Sequence, residues 1–154
     1  GEVVLYTGND EGIGHGLITP FRLVVHGEIR TVRIPGGLLG QWACWTRKAV
    51  ELLEETHALV ASDKPASPDL LARAAQITDA NAALFDTGHN YAGSIPGLKE
   101  VLRRQGLLAN NVTLKYDETL SPGQLEDIER VLAAYPHLQD DAFVAEHLDE
   151  WLEG

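Results

Sequence analysis

The chain has 154 residues, of which 44% are hydrophobic and 23% are charged. A chain of this length can bury roughly 70% of the surface that it exposes when unfolded, so this composition excludes a largely disordered segment and favours a folded domain. The net charge of −11 argues against a nucleic-acid partner and against an anionic membrane surface.

The first predicted element is a core strand over residues 3–6, which runs into a loop rich in glycine and acidic residues. The loop reads Thr7-Gly8-Asn9-Asp10-Glu11-Gly12, a composition that regular elements do not carry. Loops that follow strands in α/β proteins carry ligand contacts, so Gly8, Asn9 and Asp10 are candidate substrate-binding residues. A plain solvated turn is the alternative. Because the strand has no lead-in, we expect the chain to be part of a larger protein.

A β-hairpin is predicted after a flexible, glycine-rich stretch that Pro20 closes. Residues 21–26 and 28–34 alternate between apolar and polar side chains, as partly exposed strands do. Gly27 lies between the two segments, at the position of a tight turn.

Gly36 and Gly37 follow the hairpin and join it to the longest helical pattern in the chain, which continues to Leu59. Apolar residues recur along this pattern at steps of three and four, in the order Leu38, Trp42, Trp45, Ala49 and Leu52. Glycines at a strand-to-helix junction let a ligand approach the backbone, and the first N–H groups of a helix favour an anion. Gly36 and Gly37 are therefore candidate substrate-binding residues, with a tight turn as the alternative.

The second half of the chain predicts four helices and no strand of consequence. For the first of them, Ser67 is the expected N-cap and Pro68 the first helical residue, and the helix stops near Gly88. The next helix opens with Ser94 as its N-cap and ends at Gly106.

The last two helices also carry start and stop signals. Ser121-Pro122-Gly123-Gln124 has the form of a capping box, and the helix that it opens ends before Pro136. Asp140 begins a final amphipathic helix, whose acidic residues we interpret as a solvated face.

Three stretches resemble one enzyme family. Val4-Leu5-Tyr6-Thr7-Gly8-Asn9-Asp10 is similar to the seventh strand and its Gly-Asp loop in the dihydrodipicolinate synthase and N-acetylneuraminate lyase family. Leu84-Phe85-Asp86-Thr87-Gly88-His89-Asn90, followed by Ile95-Pro96-Gly97-Leu98-Lys99-Glu100-Val101-Leu102 and Gly106-Leu107, resembles the carboxy-terminal helices of that family. Thr119-Leu120-Ser121-Pro122-Gly123-Gln124 stands where the family's final helix begins.

The resemblance implies an α/β fold that is part of a TIM barrel. Residues 1–60 would supply the last two strand–helix units of the (β/α)₈ barrel, and residues 61–154 a helical carboxy-terminal extension, so that the chain is predominantly helical. Two such units cannot close a barrel. We therefore expect either a homo-oligomer or a further amino-terminal part to cover the open strand edges.

The resemblance also implies a class I aldolase or dehydratase, a lyase that acts on a keto acid without a separate cofactor. Members of the family form a Schiff base with a lysine on the sixth strand, assisted by a tyrosine on the fifth and a threonine pair near the second. None of those strands corresponds to this chain. Because Lys48, Lys64 and Lys99 fall at other positions, the resemblance assigns no catalytic residue here, and only the glycine loops correspond to substrate contacts.

A small ester hydrolase is a second hypothesis. Asp86, His89 and Ser94 lie within nine positions of one another and include the residue types of a serine hydrolase triad. The Gly-x-Ser-x-Gly elbow is missing, and Ser94 has a competing role as a helix cap. A third hypothesis is a non-catalytic assembly module.

The six histidines show neither zinc-pair spacing nor companion cysteines, so the sequence predicts no metal site. Cys44 is the single cysteine and can form no internal disulfide, which favours a reducing, cytoplasmic setting. No apolar run approaches the roughly 20 residues of a membrane span, and we expect neither a membrane partner nor a secretory leader.

Overall fold

The computed structural model describes residues 3–153, and 56% of the residues are helical and 9% are in strands. The elements in chain order are β1 (Tyr6–Thr7), α1 (Ile13–Ile18), β2 (Phe21–Val25), β3 (Glu28–Val32), β4 (Gly36–Gly37), a 3₁₀ helix (Gly40–Ala43), α2 (Thr46–Ser62), α3 (Pro68–Leu84), a 3₁₀ helix (Thr87–His89), α4 (Ser94–Arg104), α5 (Gln124–Ala134), a 3₁₀ helix (Pro136–Leu138) and α6 (Asp141–Leu152). The predicted predominance of helix with a small amount of sheet is confirmed.

The chain divides into two compact units. The first unit contains the chain up to Leu39 together with Val50–Thr78. The second unit contains Gly40–Ala49 and the chain from Asp79 onward.

A short parallel strand pair lies in the first unit. β1 pairs with β4 in the register Tyr6–Gly36 and Thr7–Gly37, and Leu38 N–H extends the ladder by donating to Thr7 O at 2.9 Å. The connection between the two strands runs through α1 and the β2–β3 hairpin. Parallel strands require such a crossover, so the pair is a small α/β unit.

The predicted hairpin is confirmed. β2 and β3 pair antiparallel from Phe21–Val32 to Val25–Glu28. The turn residues His26 and Gly27 both have positive φ, 51° and 83°, as the two central residues of a type I′ turn require.

The predicted flexible stretch is wrong over residues 13–18, which form α1. Glycine lowers helix propensity, and α1 contains Gly14 and Gly16. However, a methyl group on Gly14 would lie 2.6 Å from Ala74 Cβ, so glycine here lets α1 approach α3 closely. A tertiary contact outweighs the local preference.

The predicted helix from Leu38 to Leu59 is wrong in its first part. Gly36 and Gly37 form a strand and not a tight turn, because their backbone pairs with β1. A 3₁₀ helix follows, Trp45 has a left-handed backbone with φ 56°, and the α-helix begins only at Thr46. The apolar spacing indicated a buried face, but it could not show this interruption of the helix.

The four predicted helices of the second half are confirmed as α3 to α6. Ser67 caps α3 as predicted, since its Oγ accepts a hydrogen bond from Leu70 N–H at 3.1 Å. Ser94 is not an N-cap: it is the first residue of α4, and Gly93 precedes it without a side-chain cap. Gly106 follows α4 with φ 83°, consistent with the predicted helix end.

The capping box at α5 is only half present. Gln124 Oε1 accepts a hydrogen bond from Ser121 N–H at 3.0 Å, as in a capping box. The Ser121 hydroxyl instead donates to Asp86, 35 positions earlier in the chain. The N-cap position of α5 belongs to Gly123, which has φ 81°.

Each unit has its own buried apolar residues. In the first unit they are Ile13, Leu17, Leu39, Leu52, Leu70, Ala74 and Ile77. In the second unit they are Cys44, Trp45, Ala80, Ala83, Leu84, Leu98, Val101, Ile128, Val131, Leu138 and Val144.

Candidate functional site

The structure brings the two predicted glycine segments together in the first unit. Gly8 follows β1 directly, and Gly36 and Gly37 form β4. A methyl group on Gly8 would be in van der Waals contact with Leu38 O, at 3.8 Å. Because the strands are parallel, their carboxyl ends meet at one edge, which is the usual position of ligand contacts in α/β proteins.

The loop that contains Asn9 and Asp10 is held by local hydrogen bonds. Asn9 N–H donates to Thr7 Oγ1 at 3.2 Å, and Glu11 N–H donates to Asn9 Oδ1 at 3.1 Å. The Thr78 hydroxyl donates to Glu11 O at 3.3 Å and ties the loop to α3. Asp10 is half-buried. The loop therefore has a defined backbone, and the side-chain oxygen of Asn9 accepts a hydrogen bond within it.

Another hydrogen bond holds the approach to β4. His57 Nε2 on α2 donates to Pro35 O at 2.6 Å, one residue before Gly36. His57 is exposed, so its contribution is to position the strand and not to fill the core. No local pattern predicts this contact, because it joins residues 22 positions apart.

The predicted triad residues Asp86 and His89 are also in contact, in the second unit. Asp86 is buried, and its Oδ1 accepts a hydrogen bond from His89 Nδ1 at 2.6 Å. Its Oδ2 accepts from Gly93 N–H at 2.8 Å and from Ser121 Oγ at 2.6 Å. Burial raises the pKa of Asp86, but the hydrogen bonds from Ser121, His89 and Gly93 outweigh burial and leave that pKa below its usual value.

Ser94 is not joined to this pair. Its N–H donates to Tyr91 O at 3.2 Å, but within residues 3–153 its hydroxyl forms no hydrogen bond with His89. The His89 side chain is half exposed, and no group in the same range of residues hydrogen-bonds to its Nε2. The structure thus provides an oriented Asp–His pair in which the Ser121 hydroxyl contacts Asp86, but no nucleophile among the described residues hydrogen-bonds to His89.

The loop around this pair has an unusual backbone. Asp86, Asn90 and Tyr91 have φ values of 56°, 54° and 66°, in the left-handed region. Asp and Asn tolerate that region, whereas a bulky residue such as Tyr91 adopts it at a cost. Left-handed residues of this kind concentrate at turns and at functional sites.

Sequence reasoning missed the role of Ser121 and Gln124. Gln124 is buried, and its Nε2 donates to Gly93 O at 2.9 Å and to Ala83 O at 3.3 Å. A methyl group on Gly93 would lie 2.0 Å from Gln124 Oε1, so the glycine is needed for this contact. The capping-box pattern identified both residues but not their long-range partners.

Cys44 has no catalytic character. Its thiol is buried and donates to Leu98 O at 3.4 Å. Burial, and to a smaller extent the charge of Asp140, raises the pKa of the thiol to about 12. A reactive cysteine requires a lowered pKa, so Cys44 is a structural residue.

Residues 3–153 contain no group of three or more His, Cys, Asp or Glu side chains that could hold a metal ion. Nor does any helix in this range have the length and apolar composition needed to span a membrane. A cavity of about 600 Å³ lies between Pro96 and the loop after α4, but none of the candidate residues lines it.

No protein-family model, no curated protein and no solved structure matches this chain.

Proposed function

We propose that this chain is the carboxy-terminal part of a (β/α)₈-barrel lyase similar to dihydrodipicolinate synthase and N-acetylneuraminate lyase, and that it contributes substrate-binding loops to a Schiff-base site. One observation carries the proposal: β1 and β4 pair in parallel, so that Gly8 lies beside the Gly36–Gly37 strand at a common edge. This is the arrangement expected of neighbouring strands at the carboxyl end of a barrel.

The exposure of Tyr6 in β1 and of the three residues before this strand also supports the proposal. Parallel sheets occur almost entirely with both faces covered, and two strands alone are marginally stable. Val3, Val4, Leu5 and Tyr6 are nevertheless exposed, with 85%, 70%, 41% and 67% of their surface accessible. Further strands of a barrel would cover them.

In this proposal the chain supplies backbone contacts and not the nucleophile. A lysine amine on another strand would attack the carbonyl of a keto acid such as pyruvate and release water to form an imine. The glycines of both segments let the substrate approach the backbone, which a side chain would prevent. Lys48 on α2, Lys64 in the loop after it and Lys99 on α4 lie outside the β1–β4 segments.

Trapping the imine tests the proposal. Borohydride reduces an imine to a stable secondary amine, so the full-length protein that contains these residues should gain a covalent pyruvate adduct in its mass spectrum. The same treatment should leave the isolated 154-residue chain unmodified. Variants with Lys48, Lys64 or Lys99 replaced by Arg serve as matched controls and should keep the adduct. A full-length protein without an adduct would refute the proposal.

A second candidate is a small ester hydrolase, favoured by the 2.6 Å hydrogen bond from His89 to Asp86 and by the left-handed residues around it. A carboxylate that orients a histidine through Nδ1 leaves Nε2 available as a general base. Ser94 would have to move to serve as the nucleophile.

Replacement of Ser94 by Ala tests this second candidate. Hydrolysis of activated esters, and labelling by a covalent serine probe, should both be lost in Ser94→Ala. Ser67→Ala, which changes another serine next to a helix start, should retain both. If Ser94→Ala hydrolyses esters as fast as the unmodified chain, the hydrolase reading is wrong.

A further inference from the structure

The two faces of the β1–β4 pair differ in how they are covered. On one face, a methyl group on Gly37 would lie 2.6 Å from Ile13 Cδ1 and 3.0 Å from Thr7 Cγ2. Ile13 belongs to α1 and is 1% exposed. This face is therefore packed against a helix.

On the opposite face, the Tyr6 side chain covers Gly36. A methyl group on Gly36 would lie 2.4 Å from Tyr6 Cε2 and 2.9 Å from Cδ2, so the ring rests directly on the Gly36 backbone. Gly36 is buried as a result. Only glycine at this position leaves room for the ring.

Tyr6 itself remains available to a ligand. It is 67% exposed, and no residue between positions 3 and 153 hydrogen-bonds to its hydroxyl group. Side chains alternate along a strand, and the ladder continues past Thr7 through the Leu38 N–H bond. Gly8 therefore faces the same side as Tyr6.

In a closed (β/α)₈ barrel the helices lie outside and the opposite face of each strand lines the interior. The α1 face of the β1–β4 pair would then be the outer face, and the Tyr6 face the inner one. We propose that Tyr6 is a substrate-binding residue that determines specificity, with its hydroxyl donating a hydrogen bond to the carboxylate or hydroxyl oxygen of a keto-acid substrate. This inference rests on the proposed lyase function.

The chemistry of the side chain fits this role. The ring contributes an apolar surface against the carbon chain of a small substrate, while the hydroxyl provides one polar contact. Loss of a hydrogen bond to a charged group weakens binding by about tenfold. Because Tyr6 makes no contact with the lysine in this proposal, removal of its hydroxyl group should change kcat little.

The test compares Tyr6→Phe with the unmodified full-length protein. Phe keeps the ring on Gly36 and removes only the hydroxyl, so we expect KM for the keto acid to rise about tenfold while kcat stays within about twofold. Tyr116→Phe is the matched control, because Tyr116 is completely exposed in the loop after α4, and its KM should not change.

Gly36→Ala provides a second variant, in which the methyl group displaces the ring while the hydroxyl is retained. Its KM should also rise, and circular dichroism should show that the protein remains folded. If the unmodified protein forms the borohydride adduct but Tyr6→Phe has an unchanged KM, the assignment of Tyr6 is wrong and the lyase function stands. If the unmodified protein forms no adduct, the lyase function and the assignment of Tyr6 are both overturned.

Discussion

Glu100 is a buried carboxylate that two arginine side chains hold in place by hydrogen bonds. It is 4% exposed on α4 and accepts hydrogen bonds from the Arg103 and Arg104 side chains, each at 2.8 Å. Asn111 Nδ2 also donates to it, at 3.3 Å, and so anchors the loop after α4. The hydrogen bond from Arg103 lowers the pKa of Glu100 most, burial opposes this, and Arg104 lowers it further, to about 2 from 4.5.

This lowered pKa predicts acid sensitivity. A carboxylate with a lower pKa in the folded state contributes stability above its unfolded pKa, and the contribution is lost as pH falls from 4.5 towards 2. Because both arginines are partly exposed, we expect the Glu100 carboxylate to contribute roughly 1–2 kcal/mol to the free energy of unfolding. The free energy of unfolding of Glu100→Gln, measured with urea at several pH values, should be lower than that of the unmodified chain at pH 7 and should fall less towards pH 2.

Glu129→Gln is the control for this prediction. Glu129 also binds Arg104, at 3.0 Å, but its side chain is 57% exposed. Solvent screens such a pair, so its loss should change stability by a few tenths of a kcal/mol. If Glu100→Gln and Glu129→Gln lose the same free energy of unfolding, burial of Glu100 does not strengthen its ion pairs and the prediction is wrong.

The strands are the elements that the sequence described least completely. β1 and β4 have only two residues each, and Gly36-Gly37 has no side chains from which a strand pattern could be read. The hairpin, by contrast, carried its alternation and its turn glycine in the sequence. The hairpin strands expose apolar side chains: Val24 and Ile29 are 74% and 63% exposed.

These open strand edges predict self-association of the isolated chain. Unpaired edges with exposed apolar residues pair readily with another chain. The sedimentation coefficient should therefore rise with protein concentration in the micromolar range. Val24→Lys with Ile29→Lys should reduce the association, whereas Leu114→Lys, at a more exposed apolar residue outside the sheets, should not. A monodisperse monomer at all concentrations would contradict the prediction.

At the scale of the whole molecule, periodicity and caps predicted α3 to α6, but they predicted neither α1 nor the start of α2. The Ser67-Pro68 start, the Gly106 stop and the order of α3 to α6 all follow from local signals, because helices are formed by contacts between near neighbours. The candidate residues were also visible in part. Turn chemistry predicts Gly8 and the Gly36–Gly37 segment as candidate substrate-binding residues. The residue types of Asp86 and His89 predict them as candidate catalytic residues.

The sequence by itself determined the predominance of helix, the order of α3 to α6 and the hairpin, since each depends on residues a few positions apart. Only the tertiary structure decided that Gly36 pairs with Tyr6, that α1 forms against Ala74, and that Ser121 donates to Asp86. Those contacts join residues 30 to 60 positions apart in the chain. Local propensity carries no information about such distant partners, and backbone pairing and close packing can override it.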